Sequence, residues 1–180
     1  NKAGGIDSGG SLVLNNSIVM NNKTGGGSTG SAGGIFASGT LTLNNSTVRN
    51  NVSPTRAGGI LIYVSNTLTL NNSTITQNQA VTSGGGILLS GGSGGGPGQV
   101  TNISNSTITN NSAANGAGMN IQGWSPSRTV TVKNSIIANN TATTSGSDCL
   151  GTINLLDHSI VSNTTNCIMS SGSGNLLNTN

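Results

Sequence analysis

The sequence predicts an all-β fold: a parallel β-helix of about six coils with three short strands per coil. Three observations predict it. First, one phrase recurs six times: SLVLNNSIVMNN from Ser11, TLTLNNSTVRNN from Thr40, TLTLNNSTITQN from Thr67, VTNISNSTITNN from Val100, TVTVKNSIIANN from Thr129 and an eroded NLLDHSIVSNTT from Asn154. Its marker serines, Ser17, Ser46, Ser73, Ser106, Ser135 and Ser159, are separated by 29, 27, 33, 29 and 24 residues, the loose period of a solenoid. Second, aliphatic residues recur at alternate positions inside the phrase, the mark of strands with one buried face. Third, Asn, Gly, Ser, Thr and β-branched residues dominate and no 3.6-residue apolar stripe persists, so helix is excluded.

The elements of a coil follow in order. The first strand succeeds a glycine pair: GGIDS from Gly4, GGIFAS from Gly33, GGILIYVS from Gly58, GGILLS from Gly85, and GAGMNI from Gly116 as the fifth. Ile6, Ile35, Ile60, Ile87 and Met119 are its inward residues. The second strand is the TLTL segment, with Leu12 and Leu14, Leu41 and Leu43, Leu68 and Leu70, Ile103, and Val130 and Val132 inward. The third is the STIT segment, with Val19, Val48, Ile75, Ile108, Ile137 and Val161 inward. Each strand pairs with its equivalent one coil on, at a spacing of ~4.8 Å, so six coils make a rod roughly 25–30 Å long.

Between the strands, Asn16, Asn45, Asn72, Asn105 and Asn134 hold one corner, with His158 in the last coil. Asn21, Asn50, Gln77, Asn110, Asn139 and Asn163 hold another. Asn tolerates left-handed backbone and bonds its own backbone. Stacked coil on coil, the amides of Asn16, Asn45, Asn72, Asn105 and Asn134 are expected to form a hydrogen-bonded ladder. The paired glycines allow a positive-φ corner or a close coil-to-coil approach. The variable segments Lys23 to Ala32, Ser90 to Gly98 and Gly123 to Arg128 read as loops on one side of the rod, GGSGGGPG being flexible by composition.

Composition narrows function. Only 5% of residues are charged, against ~25% in an average domain, and aromatics are 2%, so the core must be aliphatic. The net charge of +3 comes from scattered Lys2, Lys23, Arg49, Arg56, Arg128 and Lys133. Nucleic-acid tracking needs clustered cations, so that partner is not expected. No apolar run reaches the ~20 residues of a membrane span. The acids are Asp7, Asp148 and Asp157, with no Glu. Catalysis on polysaccharide needs paired carboxylates, or Ca²⁺ and a base. Asp7 lies in the first coil and the other two flank a C-terminal turn, where capping is the simpler role. His158 beside Asp157 stands at an Asn corner and reads as a substitute there. No catalytic residue, metal ligand set or cofactor is expected: repeated Asp for Ca²⁺ is missing, and the glycine runs lack the lysine of a phosphate loop. Sequons such as Asn72-Ser73-Thr74 arise by chance in such a composition.

The C-terminal stretch SGSDCLGTINLLDHSIVSNTTNCIMSSGSGNLLNTN departs from the phrase. Through Ala138 to Ala142, Asp148, Cys149, Gly151, Thr152, Ile160, Asn163, Thr164, Cys167 and Gly174 to Leu177, the chain resembles secreted bacterial right-handed β-helix repeat proteins of adhesin-like character, which share such a DC…C ending. The resemblance covers essentially the whole chain and departs at Asp157 and His158. It implies a right-handed helix, an extracellular or cell-surface location and pairing of Cys149 with Cys167. Two cysteines in an otherwise secreted-looking chain agree with that pairing. Such a bridge is worth on the order of 3 kcal/mol in the chain-entropy model.

The expectation is thus one β-helix array over residues 1–180, a segment of a larger protein, with an irregular disulfide-bearing coil over 143–180. It is expected to be a non-catalytic extracellular structural or adhesive module. Because each coil end exposes unpaired backbone groups, it stacks end to end or continues into a longer fibre. Its partners are then itself, adjoining coils or surface glycans. A carbohydrate-binding or polysaccharide-degrading β-helix is the alternative. A second is ice binding through an exposed Thr-X-Thr face of Thr40, Thr42, Thr67, Thr69, Thr129 and Thr131, interrupted at Ser11/Val13 and again around Val100 to Asn102.

Overall fold

The computed structural model describes residues 2–25, 31–63, 66–91, 98–123 and 128–179. Among these residues every strand pairing is parallel and no helix occurs. The first face carries Ile6–Ser8, Ile35–Ala37, Ile60–Tyr63, Ile87–Ser90 and Met119–Gln122. The second carries Leu12–Asn15, Leu41–Asn44, Thr67–Asn71, Val100–Ser104 and Thr129–Lys133. The third carries Ile18–Met20, Thr47–Arg49, Thr74–Thr76, Thr107–Thr109, Ile136–Ala138, Ile160–Val161 and Leu176–Leu177.

Two expectations change here. A fourth short strand closes each central coil: Val52–Ser53, Gln79–Ala80, Ser112–Asn115 and Thr141–Ser145. The array is therefore four complete four-stranded coils, preceded by a three-stranded coil and followed by an irregular ending. Apart from Val52 and Gln79 these residues are Ser, Ala, Thr and Asn, with little apolar content, so they carry no clear strand pattern. Leu176–Leu177 adds a seventh rung to the third face, past the six phrases.

The interior is built as the alternation dictates. Ile6, Ile35, Ile60, Ile87, Met119 and Cys149 form one in-register column. Leu14, Leu43, Leu70, Ile103, Val132 and Leu156 form another. Val19, Val48, Ile75, Ile108, Ile137 and Val161 form the third. These columns make one continuous core. Each buried Leu or Ile contributes roughly 1.5–3 kcal/mol relative to exposure, which is how a chain with few charges and few aromatics stays folded.

The first face departs from simple alternation, because both of its sides are buried. Phe36, Leu61 and Leu88 point away from the main core yet are 1%, 0% and 0% exposed. Ala3, Ala32 and Ala57, from the turns that precede the glycine pairs, pack with them as a second cluster. Asn120 continues this outer column beside Leu88 and is also fully buried.

The glycine pairs serve close approach rather than positive φ. A Cβ on Gly33 would lie 2.4 Å from the Gly58 carbonyl oxygen, and on Gly58 2.5 Å from that of Gly85. The second glycine makes room for a side chain: a Cβ on Gly34 would lie 3.1 Å from the Asn51 amide, and on Gly59 3.1 Å from that of Asn78.

The chain between the first and second strands varies from residues 38–40 in one coil to residues 91–99 in another, while the strands on either side keep register. The connection from Met20 to Ile35 instead joins the third face of one coil to the first face of the next, so the variable segments interrupt two corners, not one side. Most of GGSGGGPG lies outside the described residues. In the last coil this connection disappears. Cys149–Asp157 runs as one strand that pairs first with Met119–Gln122 and then with Thr129–Lys133, joining the two faces into a twelve-stranded sheet.

Candidate functional site

The asparagine corners are where the sequence places them, but their job is conformational. Asn16, Asn45, Asn72, Asn105 and Asn134 have φ of 48–50°, and His158 shares the position at 45°. Asn21, Asn50, Gln77, Asn110 and Asn139 have φ of 55–58°; Asn163 does not share this conformation. With the backbone left-handed, the side chains of Asn16, Asn45, Asn72, Asn105 and Asn134 stand exposed. The expected ladder on these five residues is corrected accordingly: the hydrogen-bonded columns run through their neighbours.

The column is Asn22, half-buried, followed by the buried Asn51, Asn78, Asn111 and Asn140. Each donates its backbone N–H and its Nδ2 to the Oδ1 of the next, as Asn51 does to Asn78 at 3.1 and 3.0 Å. From Asn51 on, each also donates Nδ2 backward to a carbonyl of the preceding coil, Asn51 to Val19 and Asn78 to Val48. In Asn51 and Asn78 every amide hydrogen and both oxygen lone pairs are used, which is what permits an amide at 0% exposure.

A serine column stands beside it. The backbone N–H of Ser17, Ser46, Ser73, Ser106 and Ser135 each donates to the hydroxyl of the next serine, at 3.1 Å throughout. Each hydroxyl donates in turn to the carbonyl two residues back, as Ser46 does to Asn44. A third, outer column runs in the opposite sense, Asn71 donating to Asn44 and Asn44 to Asn15. The doubled Asn of each phrase thus divides labour: one turns the corner, its neighbour bonds the next coil.

Both columns end at the C-terminal side. Asp148, 0% exposed, occupies the register place of Gly118 and accepts from Asn140 with one oxygen and from Ser162 Oγ and the Asn163 N–H, each at 2.7 Å, with the other. The serine column ends on Asn175, whose Oδ1 accepts from the Ser159 N–H. Cys149 and Cys167 are disulfide-bonded with Cα atoms 5.3 Å apart, fastening Cys149–Asp157 to its neighbour Cys167–Ser171.

The titratable groups do not converge. Asp7 is exposed on the first coil. Asp157 Oδ1 is 3.2 Å from His158 Nδ1 and accepts from the Ser173 N–H at 3.0 Å. These two partners, the imidazole first, hold the Asp157 carboxyl below the usual carboxylate range. Ser173 Oγ contacts Asp157, at 3.4 Å, and not the imidazole, so the three are not in the order of nucleophile, base and orienting acid. Among the described residues no group of three or more His, Cys, Asp or Glu converges.

The exposed threonine face is interrupted as its sequence implies. Thr42 and Thr69 are adjacent rungs, and Thr131 follows only after Asn102. Thr67 and Thr129 are separated by Val100, and the Thr40 carbonyl accepts from the Leu12 N–H. A more regular column lies on the third face: Thr47, Thr74 and Thr107 are consecutive, with Thr76 and Thr109 beside the last two. Thr47 was legible in the repeated NNST but lies outside any Thr-X-Thr. What these threonine columns offer chemically is uncharged hydroxyls at a strand spacing, flanked by Arg49 beside Thr76 and by the exposed Val13 and Ile18 of the first coil.

A stack of parallel coils with in-register aliphatic columns inside and hydrogen-bonding side chains on the outer faces defines a β-solenoid. The protein-family model described as "Right handed beta helix region" matches residues 1–98, and the chain belongs to that family. No curated protein and no solved structure matches it.

Proposed function

We propose that the chain is a non-catalytic structural and adhesive β-helix module of the extracellular space or cell surface. The observation that carries this reading is the pair of neutral threonine columns on the outer faces, in which Thr42 and Thr69, and Thr47, Thr74 and Thr107, stack in register. Such faces bind by many weak contacts: each hydroxyl offers one donor and two acceptors, and repetition converts modest single contacts into avidity. The disulfide supports an oxidising, extracellular setting.

Beads coated with the chain test the reading by attachment to glycan-bearing and bare surfaces. Thr42→Lys with Thr69→Lys, and separately Thr74→Lys with Thr107→Lys, place charges on half-exposed positions. Attachment that at least one pair reduces tenfold, with the circular dichroism unaltered, supports adhesion through these faces. Absence of attachment, or attachment indifferent to both pairs, refutes it.

A further inference from the structure

The chain holds many Asn-X-Ser/Thr triplets, the acceptor motif of N-linked glycosylation, and the fold treats one of them differently. In the repeated coils the triplets are built into the stack. The backbone N–H two residues past the asparagine bonds the adjacent coil. Thr47 after Asn45 donates to the Ser17 carbonyl, Thr74 after Asn72 to that of Ser46, and Thr107 after Asn105 to that of Ser73. In other triplets the asparagine itself is consumed. Asn51 is fully buried, and the Nδ2 groups of Asn44 and Asn71 donate along the outer column. The hydroxyl residues of those three triplets, Ser53, Ser46 and Ser73, are buried too.

Asn163-Thr164-Thr165 is arranged otherwise. It occupies the corner at which Asn139 is left-handed and Asn163 is not. Here the Thr165 N–H turns back to Asn163 Oδ1, at 2.9 Å, and closes the turn within the triplet. Asn163 and Thr165 are both exposed, and among the described residues neither the Asn163 Nδ2 nor the Thr165 hydroxyl has a partner. The backbone around them is fixed. Asp148 accepts from the Asn163 N–H, Asn178 Oδ1 accepts from the Thr164 N–H and hydroxyl, and the Thr164 carbonyl accepts from the disulfide-bonded Cys167. Asn178 directly follows Leu176–Leu177, the strand that pairs with Ile160–Val161, so the turn is exposed with the adjoining rung already in place.

We infer that Asn163 is an attachment site for an N-linked glycan, the chain serving as acceptor for a sugar carried on a lipid pyrophosphate. In the transfer a bond forms between Asn163 Nδ2 and C1 of the sugar, and the C1–O bond to the pyrophosphate breaks. The pyrophosphate leaves with the bonding electrons, and one amide proton passes to a base of the transferring enzyme. The hydrogen bond on Oδ1 stabilises the negative charge that builds on the carboxamide as that proton leaves. The free Thr165 hydroxyl completes the motif the enzyme reads. A coil triplet offers this arrangement only by leaving the stack. The inference rests on the extracellular setting proposed above, because such transfer acts on exported chains. It does not involve the threonine columns, so the bead-attachment assay and the assay below fail separately.

The test combines the folded, disulfide-bonded chain with a purified oligosaccharyltransferase and a pyrophosphate-linked lipid oligosaccharide. A standard acceptor peptide in the same tube shows that the enzyme is active. Glycopeptide mass spectrometry is expected to find Asn163 occupied at least about tenfold more than Asn45, Asn72 or Asn105. Thr165→Ala should lower that occupancy at least about tenfold, Thr165→Ser should keep most of it, and Asn163→Gln should remove it. All three changes fall on exposed positions, and circular dichroism checks that the fold is unaltered. Asn163 left bare while the peptide is modified overturns the inference. So does equal occupancy at Asn72, or occupancy of Asn163 indifferent to Thr165→Ala.

Discussion

Asn140 directs both its backbone N–H and its side-chain Nδ2 at one oxygen of Asp148, at 3.2 and 2.9 Å, so that a carboxylate terminates a column made otherwise of amides. An amide at position 148 would have one acceptor where four donors converge. Asp148→Asn must turn an NH₂ toward two of them, and a buried unpaired donor costs about 1–3 kcal/mol. We expect a loss of roughly 2–4 kcal/mol in urea unfolding; a loss under ~0.5 kcal/mol would show that this carboxylate is not the terminator.

Gly33→Ala forces a Cβ to within 2.4 Å of the Gly58 carbonyl and 2.7 Å of the Val52 backbone, with no flexible side chain to yield. Gly9→Ala meets nothing within 4 Å. Overpacking of a rigid backbone contact costs about 1–3 kcal/mol or more, so the first variant should melt several degrees lower and the second should match the unaltered chain. Equal melting temperatures would contradict the close-approach account of the glycine pairs.

Thr101 sits between Leu68 and Val130 in an interior column, fully buried, and its hydroxyl has no partner among the described residues. Thr101→Val keeps the shape and removes the desolvated hydroxyl. A gain of about 1–2 kcal/mol is expected by chemical denaturation, and a loss would reveal a partner for the hydroxyl.

Reduction of the Cys149–Cys167 bridge, or Cys167→Ser, should cost about 2–4 kcal/mol. Exchange of the Cys149–Asp157 and Cys167–Ser171 amides should rise first, because the bridge fastens those two strands. Uniform loosening of all coils would count against a local staple.

The Asp157 carboxyl titrates low because His158 and the Ser173 N–H stabilise its charged form. A depressed folded-state value stabilises the fold above the ordinary carboxylate range, and that contribution is lost as pH falls through the folded value. His158→Asn restores the residue used at five other corners, so the fold should persist while the Asp157 titration, followed by NMR, moves up. An unmoved titration would leave the Ser173 contact as the sole cause.

The core columns were legible because alternation counts residues toward or away from the axis, and Leu43, Leu70 and Ile103 stack as that count requires. Both disulfide partners were legible through resemblance. The ladder was not, for a physical reason. Asn50 and Asn51 are the same residue type side by side, and only the left-handed backbone at Asn50 decides that Asn51 turns inward. Phe36, Leu61 and Leu88 looked like ordinary outward positions because the turn that covers them is Ala and Gly, which carry little hydrophobic signal. Asp148 was legible as a cap, but what it caps became visible only with Asn140 beside it.

The connection between the first and second strands changes length from coil to coil without shifting the rungs on either side. That corner separates the scaffold from its ornament. Foreign peptides can be spliced in after Ala37 or Ser90 while the stack keeps its count, so one coil at a time can be given a new recognition loop, much as a rack accepts different tools at fixed pegs.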